Sequence, residues 1–244
     1  MGVTFHPLGD TGVRVGFGER LDPQTHRQVR VFAQALSAKV PAGVVEWVPT
    51  YCAVTVYYRP YEISYDDLCQ HLRKVEAGKE NLVQAVERTV VLPVAYGGEY
   101  GPDLMELCAL KEITAAELVS LHSDPTYLVY MMGFVPGFPY LGGMPEQLSV
   151  PRLKQPRLRI PAGSVGIAGP QTGVYPLETP GGWRIIGRTP VDLYDPDRSE
   201  PILLQAGDYL RFQPIDVRDF ADWREEWRSG RLHLLEQPQG RGEK

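Results

Sequence analysis

The chain has 244 residues with a formal net charge of −5, 43% hydrophobic and 23% charged. That length suits one or two domains with a sizeable core. The acidic balance argues against a general nucleic-acid or membrane-surface binder, and no apolar run approaches the ~20 residues a membrane-spanning helix needs. The first residues, MGVTFHPLGD, carry neither a signal-peptide pattern nor a myristoylation motif. Cys52, Cys69 and Cys108 are too few and too widely spaced for a disulfide framework or a zinc site. They read as buried free thiols in a reducing cytoplasm.

In chain order, Val3–Leu8 and Val13–Phe17 read as strands around the turn Gly9-Asp10-Thr11-Gly12. Asp22 then Pro23 open a helix reaching about Lys39, with Val29, Phe32, Ala33 and Leu36 on one face. Val44–Val48 and Ala53–Tyr58 are strand-like. Ser64 caps a second helix with Leu68, Leu72 and Val75 as its stripe and Gly78 at its end. The order β-β-α-β-β-α predicts an α+β domain, residues 1–82, with two helices on one face of a four-stranded antiparallel sheet.

Residues 83–244 form the expected second domain. Glu87–Ala95 reads as a strand despite Pro93, and two short helices follow, the second opened by the capping box Thr114–Glu117. Tyr127–Val135 is strongly β. Between Gly133 and Pro190 lie 11 of the 25 glycines and 10 of the 22 prolines, a density that predicts a barrel or sandwich. Asp208–Pro214 is a late strand, and Asp216 caps a short helix carrying Phe220, Trp223 and Trp227. His26, His71 and His122 fall on predicted helices and read as surface or capping residues. No histidine pair has metal-ligand spacing, so no metal site is expected.

The Gly133–Pro190 window has a net charge of +4 in an acidic chain. Arg157-Leu158-Arg159-Ile160 alternates. As a strand it would put two guanidinium groups on one face, roughly 6.6 Å apart, with Leu158 and Ile160 facing the core. Two such planar forks suit a carboxylate or phosphate. Pro170-Gln171-Thr172-Gly173, Thr179-Pro180-Gly181-Gly182-Trp183 and Gly187-Arg188-Thr189-Pro190 are three turns of the kind that hold polar ligand contacts. Arg157, Arg159, Gln171, Thr172, Tyr175, Trp183 and Arg188 are therefore the candidate substrate- or nucleotide-binding residues, with Trp183 walling a pocket beside Gln171 and Tyr175. Neither a P-loop nor a nucleophile elbow is present, and no catalytic base stands out.

Gly133–Gly142, Arg159–Gly169, Gln171–Pro176, Pro180–Trp183 and Gly187–Pro190 together resemble the KipI/PxpB family, also called allophanate hydrolase subunit 1 or the carboxyltransferase C–D subdomain. The resemblance implies a cyclophilin-like β-barrel for the second domain. It also implies ATP-dependent opening of 5-oxo-L-proline to L-glutamate in the cytoplasm, with ATP and magnesium as co-substrate and PxpC/KipA-like and PxpA-like subunits as partners. Inhibitors of a sensor histidine kinase and subunits of urea or allophanate pathway enzymes share these motifs and are the alternative readings.

Overall fold

The computed structural model describes residues 2–78 and 88–234. The chain divides into two compact units, Met1–Val86 and Glu87–Lys244. The expected boundary at 82/83 lies outside the described residues.

In the first unit, β1 (Thr4–Leu8), β2 (Gly12–Gly16), α1 (Pro23–Ala38), β3 (Val44–Pro49), β4 (Ala53–Tyr58) and α2 (Tyr65–Gly78) follow one another. The sheet order is β1-β2-β4-β3, all antiparallel. Asp22 caps α1 by accepting from the Thr25 amide at 2.8 Å, and Ser64 caps α2 by accepting from the Asp67 amide at 3.1 Å. Val13, Val15, Val54 and Val56 point to one side of the sheet and pack against Val29, Phe32 and Leu36 of α1 and Leu68 and Leu72 of α2. The alternation of the strands and the 3.6-residue period of the helices thus bury a single shared core. Cys69 is buried here, whereas Cys52 is half-buried, with its thiol donating to the Arg20 carbonyl at 3.0 Å.

The second unit runs β5 (Thr89–Tyr96), α3 (Leu104–Lys111), α4 (Ala115–Ser123), β6 (Thr126–Met132), β7 (Pro139–Gly142), β8 (Arg157–Ile160), β9 (Ser164–Ala168), β10 (Gln171–Val174), β11 (Thr179–Gly181), β12 (Arg184–Arg188), β13 (Tyr209–Ile215) and α5 (Phe220–Arg228). Seven strands form one sheet in the order β10-β9-β12-β5-β13-β6-β7, and β8 with β11 form a small ribbon. The edge strands β10 and β7 approach within 8 Å between Cα atoms, so the sheet nearly closes into a barrel. Val90, Leu92, Val94, Tyr127, Val129, Ile167, Leu210 and Phe212 fill it.

Pro93 is tolerated in a central strand for a specific reason. β13 runs parallel along the whole of β5, but β12 pairs only with Ala95 and Tyr96. On that open side the Val91 amide donates to the Leu234 carbonyl at 2.6 Å. Pro93 falls between these two contacts, where its missing N–H breaks no ladder bond.

Two readings of single residues are corrected. Leu158 does not face the core but is 89% exposed, while Ile160 is fully buried. The register between β8 and β11 slips between Thr179 and Gly181, which destroys the strict alternation. His26 and His122 are interior rather than surface residues. His71 remains exposed, against the Asp67 carbonyl at 2.8 Å.

His122 is the centre of a buried polar chain. The Thr172 hydroxyl donates to the Gly166 carbonyl at 3.1 Å, so it accepts from His122 Nε2 at 2.8 Å. His122 Nδ1 is then left to accept from the Tyr96 hydroxyl at 2.8 Å. The imidazole also stacks on Phe212 at 4.5 Å between centroids. Burial holds its pKa down at about 3, against an ordinary 6.5. Between those values the unfolded chain binds a proton that the folded chain refuses. Stability should therefore fall as the pH drops below about 6.5, by up to about 1.4 kcal/mol per pH unit. Urea denaturation of the wild type and His122→Gln at pH 7 and pH 5 checks this. The variant should lose part of the wild-type pH dependence, and an equal dependence in both would refute the assignment.

Candidate functional site

The three turns of the second unit do not converge as a group. What converges is an aromatic cleft of about 230 Å³, walled by Phe138, Tyr140, Tyr175 and Trp183, with Gln171 and Arg152 as its polar groups. Phe138 is the hub. Its ring meets Tyr140, Tyr175 and Trp183 edge-to-face at 5.4, 5.8 and 5.7 Å. Such T-shaped contacts fix ring orientation, which makes the walls rigid.

Local sequence explains why the rings fit. At Gly173 an added Cβ would lie 3.1 Å from the Trp183 ring and 3.3 Å from Phe138. At Gly181 it would lie 2.6 Å from the Tyr175 hydroxyl and 2.8 Å from Ile160. These two glycines are spaces the aromatic side chains occupy. Phe134 sits at the rim in the left-handed region, φ 67°, and is 68% exposed as a residue. Holding a phenylalanine there costs on the order of 1–3 kcal/mol, a strain typical of ligand-contacting loops. Burial pushes the Tyr175 phenol up to about 12, against smaller opposing pulls from the Trp183 backbone, Arg152 and Arg157. Tyr175 is therefore a neutral phenol at physiological pH. Arg152 is exposed at the mouth and puts a positive charge beside the rings.

Of the seven residues expected at a site, Gln171, Tyr175 and Trp183 line the cleft together. Arg157 is held behind it. Its guanidinium grips Asp103 with two bonds of 2.8 and 2.6 Å and reaches the Trp183 carbonyl at 3.4 Å. The Thr172 hydroxyl turns inward to His122 and is 1% exposed, so it is closed to a ligand. Arg159 points to solvent, 3.8 Å from Glu178 and 84% exposed along its side chain. Arg188 lies at the end of β12, bonded to the Ala162 carbonyl at 2.8 Å and outside the cleft lining. Arg152, Phe134, Phe138 and Tyr140 belong to the cleft, and sequence reasoning missed them as site residues. The signal for the three aromatics is the run Gly133–Gly142, dense in rings and turn residues. Arg159→Ala should change stability by no more than about 0.5 kcal/mol, as expected for an exposed, loosely paired charge. Thermal denaturation checks this, and a larger loss would mean that the side chain supports the fold.

The family model for the carboxyltransferase domain, subdomain C and D, matches residues 3–204. The chain belongs to the carboxyltransferase C–D family. Within that family it is 41% identical over 230 residues to the 5-oxoprolinase B subunit of Bacillus subtilis, covering 90% of this chain and 95% of that protein. It is 44% identical over 207 residues to the corresponding 5-oxoprolinase B subunit of Escherichia coli O157:H7, covering 85% and 94%. The structure also resembles that of the K. lactis urea amidolyase, with a TM-score of 0.74 and 19% identity. That match covers 96% of this chain but spans only 16% of the longer one, and it shows the shared fold. Every cleft residue named above lies within the matched span of the C–D family.

Proposed function

We propose that this carboxyltransferase C–D chain is the B subunit of a 5-oxoprolinase, a complex that opens 5-oxo-L-proline to L-glutamate with ATP. The observation that carries this reading is the identity of 41 and 44% to two such subunits across nearly the whole of both partners. The cleft supports it chemically. A lactam is a small planar ring bearing a carboxylate and an amide. The aromatic walls accept the ring, Arg152 attracts the carboxylate, and Gln171 offers an amide to the lactam group.

A lactam carbonyl is a poor electrophile. Transfer of the γ-phosphoryl group of ATP to the lactam oxygen releases ADP and opens the carbon to water. Water adds, the C–N bond breaks with the nitrogen taking up a proton, and a second water releases phosphate from the resulting acyl phosphate to leave L-glutamate. Holding both reactants in register is the larger part of such catalysis. None of the described residues lining the cleft is a carboxylate or a histidine. The base therefore comes from another subunit, of the PxpC/KipA-like or PxpA-like kind, and the complex works in the cytoplasm. Among the described residues no group of three or more His, Cys, Asp and Glu is placed to hold a metal ion, and magnesium in this reading enters with the nucleotide.

Co-expression with both candidate partners, followed by an assay for glutamate release, tests the reading. Release should require ATP, 5-oxo-L-proline and this chain, and the chain alone should release none. A reconstituted complex with no such activity would overturn it.

A further inference from the structure

Away from the cleft, two arginines of the second unit share one place. Arg188, at the end of β12, donates through Nε to the Ala162 carbonyl at 2.8 Å. Arg224, on α5, donates to the Pro190 carbonyl at 3.0 Å and to Asp192 at 3.2 Å. Their backbone anchors, Ala162 and Pro190, flank the Thr189–Gly163 hydrogen bond that holds the two segments side by side, so their positions are set by the fold. The anchoring is tight. At Gly163, φ 82°, an added Cβ would lie 2.5 Å from the Thr189 carbonyl, and the Thr189 amide donates back to the Gly163 carbonyl at 2.9 Å. Beside them the Tyr100 ring stacks on Phe220 of α5 at 4.2 Å.

The charge arrangement is unbalanced in an informative way. Arg188 is half-buried, yet it makes no ion pair with any described carboxylate. Asp192 is engaged by Arg224, and Glu99 is exposed on the turn beside Tyr100. Burial, and then the charge of Arg224, hold the Arg188 guanidinium below its usual range, with Tyr100, Asp192 and Glu99 opposing. A partly desolvated cation next to a second cation destabilises a fold unless something offsets it. One carboxylate would satisfy a single fork. Two guanidinium groups from different elements match the several oxygens of a phosphoryl group.

We infer that Arg188 and Arg224 together form an oxyanion site that takes a phosphoryl group, either free phosphate or the phosphate of a nucleotide. This is a binding property of the chain itself and does not depend on the activity proposed above. It is measured on the full chain without partners or turnover, so its failure and that of the 5-oxoprolinase reading are told apart.

The test is thermal denaturation in increasing sodium phosphate against sodium chloride of equal ionic strength, with a parallel series in ATP. Ligand at free concentration c that binds the folded chain and not the unfolded one stabilises it by RT ln(1 + c/Kd), so the midpoint keeps rising with ligand concentration. Phosphate should raise it in the wild type and in Arg159→Gln. Arg188→Gln and Arg224→Gln should each weaken the apparent affinity at least tenfold. A rise with ATP lost in the same two variants identifies a nucleotide phosphate as the ligand, and a rise with phosphate alone identifies the free ion. If the glutamine variants do not fold, Arg188→Lys keeps the charge without the fork and should bind several-fold more weakly. No rise beyond that of sodium chloride with either phosphate or ATP in the wild type, or an equal rise in the Arg188 variant that folds, overturns the site.

Discussion

Trp183→Ala should destabilise the second unit by about 3–5 kcal/mol, the loss expected when a large buried aromatic is truncated. Trp183 is 8% exposed and belongs to a cluster with Phe138, Ile160, Tyr175 and Ile185. Its ring meets Phe138 at 5.7 Å and Tyr175 at 6.1 Å, both near perpendicular. Removing it takes away two edge-to-face contacts and leaves the space beside Gly173 unfilled. The same ring borders the cleft, so it is both a core anchor and a wall. Urea denaturation of the purified chain decides the point. A loss below about 1 kcal/mol would mean that the ring contributes only to the wall and that the cleft holds its shape without it. Trp183→Phe should recover part of the stability because the edge-to-face geometry survives in a smaller ring.

Asp103→Ala should cost a similar amount, about 3–5 kcal/mol, for a different reason. Asp103 is 5% exposed and satisfies three donors: two nitrogens of Arg157 and the Ile185 amide, the last at 2.6 Å. Its own amide donates to the Ile185 carbonyl at 2.9 Å. The carboxylate therefore ties β8, β12 and the start of α3 together. Deleting it leaves a partly buried guanidinium with only the long Trp183 carbonyl contact, and a buried N–H without its side-chain acceptor. The double variant Asp103→Ala/Arg157→Ala should lose clearly less than the sum of the single losses, since each residue alone leaves the other stranded. Additive losses in denaturation experiments would show that the pair does not act as a unit.

The Asp103–Arg157 pair also shows where sequence reasoning stops. The alternation of Arg157 and Arg159 is visible in the sequence, but their separate fates are not. Asp103 stands 54 positions from Arg157, and nothing local announces that they meet. Thr172 is visible as a polar turn residue, yet its hydroxyl is used by His122, 50 positions away. Elements are more legible than sites because their signals are local. Asp22, Ser64 and the Thr114–Glu117 box cap helices where their side chains indicate. The valines of β2 and β4 face the core as their alternation requires. Leu158 is the instructive exception, because a register slip across a two-stranded ribbon overrides a two-residue period. The cleft itself is half legible. Gln171 and Trp183 are found through their turns and Tyr175 as their neighbour, whereas Phe138 and Arg152 join them only through the folding of distant loops onto the barrel.

Steady-state kinetics of the reconstituted complex carrying Arg152→Ala test the cleft most directly. Arg152 is exposed at the cleft mouth, so its truncation should leave thermal stability near that of the wild type. A charged hydrogen bond to the substrate carboxylate contributes about 1.5–3 kcal/mol, equivalent to a roughly 10- to 150-fold change in binding. The KM for 5-oxo-L-proline should rise by a factor in that range while the KM for ATP stays near its wild-type value. Unchanged KM and kcat in a fully assembled Arg152→Ala complex would contradict the placement of the substrate in this cleft.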